Sequence, residues 1–172
     1  KDLLEIGNQA RPSLFDLSIV KPKQLYSSVT EVNERLDSGG NIITKLNKAK
    51  LEKDLRNLYN SGYRSLAIVL LHSWKNPTHE DICFDIATKI GFKNISISSQ
   101  IMPLINIVNR GQTTVVDSYL YPVLSDYILS LKKELGSIPI EFMQSSGGLI
   151  DSESLTGKDS VLSGPAGGAI GS

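Results

Sequence analysis

Between Asn47 and Ser61 apolar side chains recur three and four residues apart, and Leu51, Leu55, Leu58 and Tyr59 fall on one face. That spacing predicts a helix over 47–61, with Gly62 as its stop. Upstream, "LYSSVTEVNER" (25–35) alternates loosely and carries β-branched residues, which predicts a strand ending in the turn "DSGGN". Downstream, "SLAIVLLHS" (65–73) is short and almost wholly apolar, the pattern of a strand covered on both faces. "NPTHED" then opens a helix: Asn76 can cap, Pro77 suits the first turn, and Glu80 and Asp81 suit the positive end of the helix dipole. Cys83, Ile86, Ala87 and Ile90 form its inner face, and Gly91 ends it. "NISIS" (94–98) reads as a further strand. A long helix is expected over about 113–135, with Val116, Tyr119, Leu120, Val123, Leu124, Tyr127, Ile128 and Leu131 as its apolar stripe and a kink at Pro122. "IPIEFMQ" (138–144) is the next strand, with Pro139 near its start. This alternation predicts an α/β, layered fold: a mostly parallel sheet with flanking helices.

Composition modifies this picture at the C-terminal end. Seven of the 14 glycines lie in the last 26 residues, so the tail is expected to hold close-approach turns. Eighteen Lys and Arg balance 18 Asp and Glu, which gives no electrostatic reason to expect nucleic acid or an anionic membrane as partner. The longest apolar run, "LAIVLL", is too short to span a bilayer. A single cysteine, Cys83, excludes an internal disulfide and suggests a reducing, cytoplasmic setting. The chain opens on Lys in mid-pattern and stops inside a helical pattern, as expected of an internal fragment of a longer polypeptide.

Most familiar catalytic patterns are missing. "TGKDS" (156–160) resembles a phosphate-binding loop but has Ser152 where a glycine is required and Asp159 in place of the Mg²⁺-binding hydroxyl. His72 is expected as a satisfied residue near the core and His79 as an exposed residue of a first helical turn. Neither belongs to a cluster with metal-ligand spacing. Cys83 lies on an apolar face and is expected to be structural.

Three stretches keep a functional reading open. "EIGNQARP" (5–12) gathers Asn8, Gln9 and Arg11 around a glycine, suited either to recognising a carboxylate or amide or to capping a polar turn. "MQSSGGL" (143–149) follows the end of a strand, where ligands of α/β sheets collect, but is equally readable as a plain turn. "SGPAGGAIG" (163–171) reads as a helix whose small residues either admit another backbone closely or present an N-terminus to a phosphate. Gly167 and Gly168 each cost such a helix about 1 kcal/mol relative to Ala, so the composition calls for a compensating contact.

These stretches, with "DLLEIGNQARPSLFDL" (2–17), "SLAIVLLHSW" (65–74) and "ISSQIMPLINIVNRG" (97–111), occur in an order that resembles the hydantoinase/oxoprolinase family. "GNQARP" tilts the resemblance to its oxoprolinase branch over N-methylhydantoinase and acetone carboxylase-like subunits. The resemblance implies part of an actin/Hsp70/sugar-kinase-like two-lobed fold. It also implies an enzyme that opens 5-oxo-L-proline to L-glutamate with ATP, Mg²⁺ and a monovalent cation, through phosphorylation of the amide oxygen and attack by water. A homodimer acting on a small molecule is expected, and a non-catalytic nucleotide-sensing module of the same fold is the rival. Both phosphate-binding hairpins would lie outside residues 1–172. Asn8, Gln9 and Arg11 then become substrate or cleft candidates, and Ser145, Ser146, Gly147 and Gly148 a loop near the nucleotide. Gly164, Pro165, Ala166, Gly167 and Gly168 become a hinge or phosphate-proximal helix. Ser146 departs from the Asp common among oxoprolinases, and the stretch between Arg35 and Asn47 looks trimmed. No general base is identifiable.

Overall fold

The computed structural model describes residues 2–6, 15, 17 and 23–171. Its elements run α1 (Asp2–Ile6), β1 (Arg35–Leu36), β2 (Ile42–Thr44), α2 (Lys48–Asn60), β3 (Ser65–Ile68), α3 (Thr78–Ile90), β4 (Asn94–Ile97), α4 (Ser98–Ile101), α5 (Ile107–Leu135), β5 (Glu141–Met143), β6 (Leu149–Asp151), α6 (Gly157–Ser160) and α7 (Ser163–Gly171).

Local chemistry sets the helix ends. Asn47 accepts from Lys50 N at 3.0 Å and starts α2. Asn106 accepts from Val108 N and Asn109 N and starts α5 six residues before the position expected from the apolar stripe. Gly91, at φ 117°, ends α3 in the left-handed conformation that glycine adopts without a Cβ clash. Asn76 does two jobs: Oδ1 accepts from Thr78 N at the start of α3, and Nδ2 donates to Gly40 O in the β1–β2 turn.

β3 and β4 form a parallel ladder from Ser65↔Asn94 to Ile68↔Ile97. Side chains alternate across a strand. Leu66, Ile68 and Ile95 therefore face the apolar cluster of Leu46, Leu51, Leu55, Leu70, Cys83, Ala87 and Phe92, built largely from α2 and α3. The small Ser65 and Ser96 face α5 instead, where they bond Ser118 and Asp117. The parallel pair thus lies between two helical layers, and the α/β class holds.

Several expectations need correction. The mostly parallel sheet does not form among the described residues: of three two-stranded sheets, β1–β2 and β5–β6 are antiparallel. The strand expected over 138–144 shrinks to β5 and turns back on 149–151 through a five-residue turn. Residues 25–35 contribute only Arg35, the first of the two residues of β1, because the rest of that stretch finds no strand to pair with; Leu25 and Val29 remain exposed. The strand read over 65–73 stops at Ile68 because the Leu70 amide and carbonyl bond to side chains instead of a ladder.

α5 continues through Pro122, and its buried face is not the expected apolar stripe. Tyr119, Val123 and Tyr127 are exposed; Arg110, Gly111, Thr114, Asp117 and Ser118 are buried, with Ile128. The helix turns its polar positions inward because the sheet face it covers presents Ser65 and Ser96, whose hydroxyls need partners.

Candidate functional site

The C-terminal ends of β3 and β4 converge on a buried polar network. Glu80, in the first turn of α3, is fully buried. Its Oε1 accepts from Leu70 N at 2.8 Å and Ser98 Oγ at 2.6 Å, and its Oε2 accepts from Ser99 N at 2.9 Å. Arg110, equally buried, donates Nε to Ser98 Oγ at 2.9 Å. Its Nη2 donates to Leu70 O and Leu71 O, and its Nη1 to Leu104 O and Ile105 O. All five guanidinium N–H groups have an acceptor, so Arg110 clamps backbone and has no donor left over for a ligand. Burial lowers the Arg110 pKa and nearby Glu80 opposes that fall. Sequence reasoning saw Glu80 only as a dipole partner and missed Arg110. The available signal was the spacing of Arg110, Thr114, Asp117 and Ser118, a polar stripe at helical intervals.

The histidine expectations divide. His79 is not exposed: it is buried, 3% accessible, with Nδ1 2.6 Å from Glu34 Oε2. Residues leading into β1 pass over the start of α3 and bring Glu34 to it, a long-range contact invisible in the local pattern. His72 sits half-buried in the turn after β3, where its carbonyl accepts from Lys75 N and Asn76 N. Cys83 is buried on the inner face of α3; burial first, then Glu80 and Glu34, pushes its thiol up to about 12, as suits a packing residue.

The candidate loop Ser145, Ser146, Gly147 and Gly148 is the β5–β6 turn. Gln144 N donates to Gly148 O at 2.8 Å and Gly147 N to Gln144 O at 2.9 Å. Gly147 has φ 87°, a conformation few other residues adopt. Ser146 and Gly148 are exposed. Ser145 is tied inward: its N and Oγ both donate to Asp159 O at 2.7 Å.

The stretch Gly164, Pro165, Ala166, Gly167 and Gly168 is helical, within α7. α7 lies against the β5–β6 hairpin. A Cβ placed on Gly167 would meet Met143 Cγ at 3.7 Å, and one on Gly147 would come within 2.7 Å of Ile170 Cδ1. Two of the three sequence candidates are therefore brought together. Around Gly164, Gly168 and Gly171 no atom of the described residues lies within reach of an added Cβ, and no residue of α7 is buried. Asn8, Gln9 and Arg11 lie outside the described residues.

α6 joins these pieces to the parallel sheet. Asp117 Oδ1 accepts from Lys158 N at 2.9 Å while its Oδ2 accepts from Ser96 Oγ at 2.6 Å. The "TGKDS" stretch is thus a short helix held by a carboxylate, unlike a phosphate loop. Among the described residues no three His, Cys, Asp or Glu side chains gather as a metal site, and no helix is long and apolar enough to cross a membrane.

Comparison with known proteins agrees with the motif order. The family description "Hydantoinase/oxoprolinase N-terminal region" matches residues 1–91, and "Hydantoinase/oxoprolinase" matches residues 110–172. 5-oxoprolinase 1 of Arabidopsis thaliana is 39% identical over 99% of this chain, and the 5-oxoprolinase of Dictyostelium discoideum is 38% identical over 99%. The chain spans only 15% and 16% of those relatives. The crystal structure of an ATP-dependent caprolactamase from Pseudomonas jessenii shares the fold, with TM-score 0.81 and 24% identity, over 95% of this chain and 25% of that one. The order of the motifs, the two matching regions and the likeness along nearly the whole chain lead to one conclusion: this chain belongs to the hydantoinase/oxoprolinase family.

Proposed function

We propose that this chain is part of an ATP-dependent enzyme that opens the lactam of 5-oxo-L-proline to L-glutamate. The observation that carries the reading is the 39% identity to a 5-oxoprolinase that extends over 99% of the chain, "GNQARP" and "GPAGG" segments included. In this reading residues 1–172 are one part of a two-lobed nucleotide-binding fold, and the phosphate-binding hairpins are supplied by the rest of the polypeptide. Mg²⁺ and a monovalent cation would accompany ATP there. Asn8, Gln9 and Arg11 hold the lactam: the amides match its amide edge, and the guanidinium matches its carboxylate.

The exposed Ser146 and Gly148, with Gly147 between them, form the side of the nucleotide cleft contributed by this chain. A glycine turn there lets a ligand approach backbone N–H groups closely, and α7, packed beside it, serves as the hinge. Ser146 has a hydroxyl where oxoprolinases often carry a carboxylate, so any interaction it makes with the nucleotide is through a neutral group. An amide is inert to water at neutral pH. ATP supplies the driving force, and the protein contributes position and fixed dipoles.

The test uses the full-length protein. With ATP and 5-oxo-L-proline, glutamate and ADP should form in equal amounts, and Arg11→Ala should lower kcat/KM by about 10²-fold or more with little change in thermal stability. ADP release that ignores the lactam would overturn the reading, as would an Arg11→Ala variant with an unchanged rate.

A further inference from the structure

Asp117 is set in the buried face of α5, 3% exposed, yet both hydrogen-bond partners of its carboxylate belong to other elements. One carboxylate oxygen takes the Ser96 hydroxyl of β4 at 2.6 Å; the other takes the Lys158 amide at the start of α6, 41 residues along the chain, at 2.9 Å. The fit is close. A Cβ on Gly157 would stand 2.6 Å from Asp117 O, so α6 can seat here only with glycine at that position. Thr156 Oγ1 donates to Asp159 Oδ2, which fixes the first turn of α6 from its other side.

From α6 the bonding continues. The Asp159 carbonyl accepts both the amide and the hydroxyl of Ser145 at 2.7 Å each. The Ser145 oxygen in turn accepts from Leu162 N at 2.9 Å, one residue before α7. Ser163 Oγ donates to Ser160 O at 2.9 Å. The path is unbroken: β4 through Ser96, α5 through Asp117, α6 through Lys158 and Asp159, the β5–β6 turn through Ser145, and α7 through Leu162. Beside this path, the hairpin side carries the Tyr127–Phe142 edge contact, the Lys132–Glu153 ion pair and the buried Leu155. α7 buries no residue, and the turn itself presents exposed glycine and serine.

We propose that Asp117 is a positioning residue, which through α6 and Ser145 fixes the β5–β6 turn and the start of α7 relative to the parallel β3–β4 pair. A buried carboxylate contributes little net stability compared with an apolar residue of similar shape, because its desolvation offsets its hydrogen bonds. Directional, charge-assisted bonds to two separate elements instead specify geometry. The inference rests on the reading above in one respect only: the turn is taken to face the nucleotide, with α7 beside it as the hinge. If so, Asp117 sets nucleotide affinity without touching the nucleotide.

The experiment compares Asp117→Ala, Asp117→Asn and Ser145→Ala in the full-length protein by site-resolved hydrogen exchange and ATP kinetics. In Asp117→Ala, amide exchange at Ser145, Lys158 and Leu162 should rise about tenfold or more, with β3 and the middle of α3 unchanged. KM for ATP should rise about tenfold while kcat changes less. Asp117→Asn, which keeps an acceptor for Lys158 N, should restore most of both. Ser145→Ala should raise exchange at Leu162, and the double variant should fall short of the sum of the singles, as members of one path do. Unchanged exchange at Ser145 and Leu162 in Asp117→Ala overturns the proposal, and so does a uniform rise across β3, β4 and α3. Local loosening with an unaltered KM upholds the positioning role and removes the nucleotide from the turn.

Discussion

Glu80 shows how a residue's type can be legible while its task is not. Two carboxylates at the start of a helix read naturally as dipole partners, and Asp81 fits that description. Glu80 instead faces inward, where three donors converge on it and Arg110 lies beyond Ser98. Its neighbour His79 departs from the expected exposure for the same reason. Solvent exposure is decided by which distant segment passes overhead, here the one carrying Glu34, and local spacing carries no record of that. Removing Glu80 would orphan the Leu70 and Ser99 amides and the Ser98 hydroxyl while leaving Arg110 buried with its countercharge gone. Glu80→Ala should therefore cost about 3–5 kcal/mol, and Glu80→Gln, which keeps one acceptor oxygen, distinctly less. Urea unfolding of the two variants decides it: equal losses would mean that packing volume, not the acceptor set, is what the site requires.

At the scale of elements, helices were read best because capping and periodicity are local. Asn47 and Gly91 act where the sequence reading places the ends of α2 and α3, whereas the Asn106 cap starts α5 six residues before the expected position. Strands were read less well, because a strand exists only with a partner. Residues 25–34 have strand-like alternation and no ladder, and 138–144 pairs with a strand five residues downstream of it, not with the parallel set. The candidate site was legible in part. The sequence singles out "MQSSGGL" and "SGPAGGAIG", which do meet, but not Asp117 or Arg110, because a polar stripe inside a helix is normally its solvent face. Glycines now separate by cause. At Gly157 an added methyl would strike backbone, so Gly157→Ala should destabilise by about 1–3 kcal/mol. At Gly168 no atom of the described residues stands within 4 Å, so Gly168→Ala should be neutral or stabilise α7 by up to about 1 kcal/mol in this chain. Thermal melts of the pair should diverge in sign or size. Equal destabilisation would show that α7 is covered in a way its neighbours within the chain do not reveal.

Over the whole molecule, burial is uneven, and that has dynamic consequences. The apolar cluster draws its members from residues 46–92, where α2, α3 and the β3–β4 pair close on one another. Beyond Leu135 the buried residues are few, Ser152, Leu155 and Gly157, while Leu149, Val161, Leu162 and Ile170 are exposed. The C-terminal part thus has less apolar burial than residues 46–92, and hydrogen bonds through Asp117 and Ser145 join it to the parallel pair beside the Tyr127–Phe142 contact and Leu155. Local opening is cheapest where few apolar contacts must be broken. Native-state hydrogen exchange should accordingly rank the chain: amides of β3, β4 and the middle of α3 exchange only through global unfolding, whereas those of β5, β6 and α7 exchange through a smaller opening that leaves the first group protected. Raising urea in steps separates the two classes, since sub-global opening exposes less surface and responds with a shallower slope. If α7 followed the same slope and free energy as α3, the molecule would be a single cooperative unit, and the hydrogen-bonded path from Ser96 to Leu162 would be as firm as the core it leaves. If instead the C-terminal elements open first, the turn proposed for the nucleotide cleft and the helix proposed as its hinge are those most able to change place, with Asp117 as the point about which they do so.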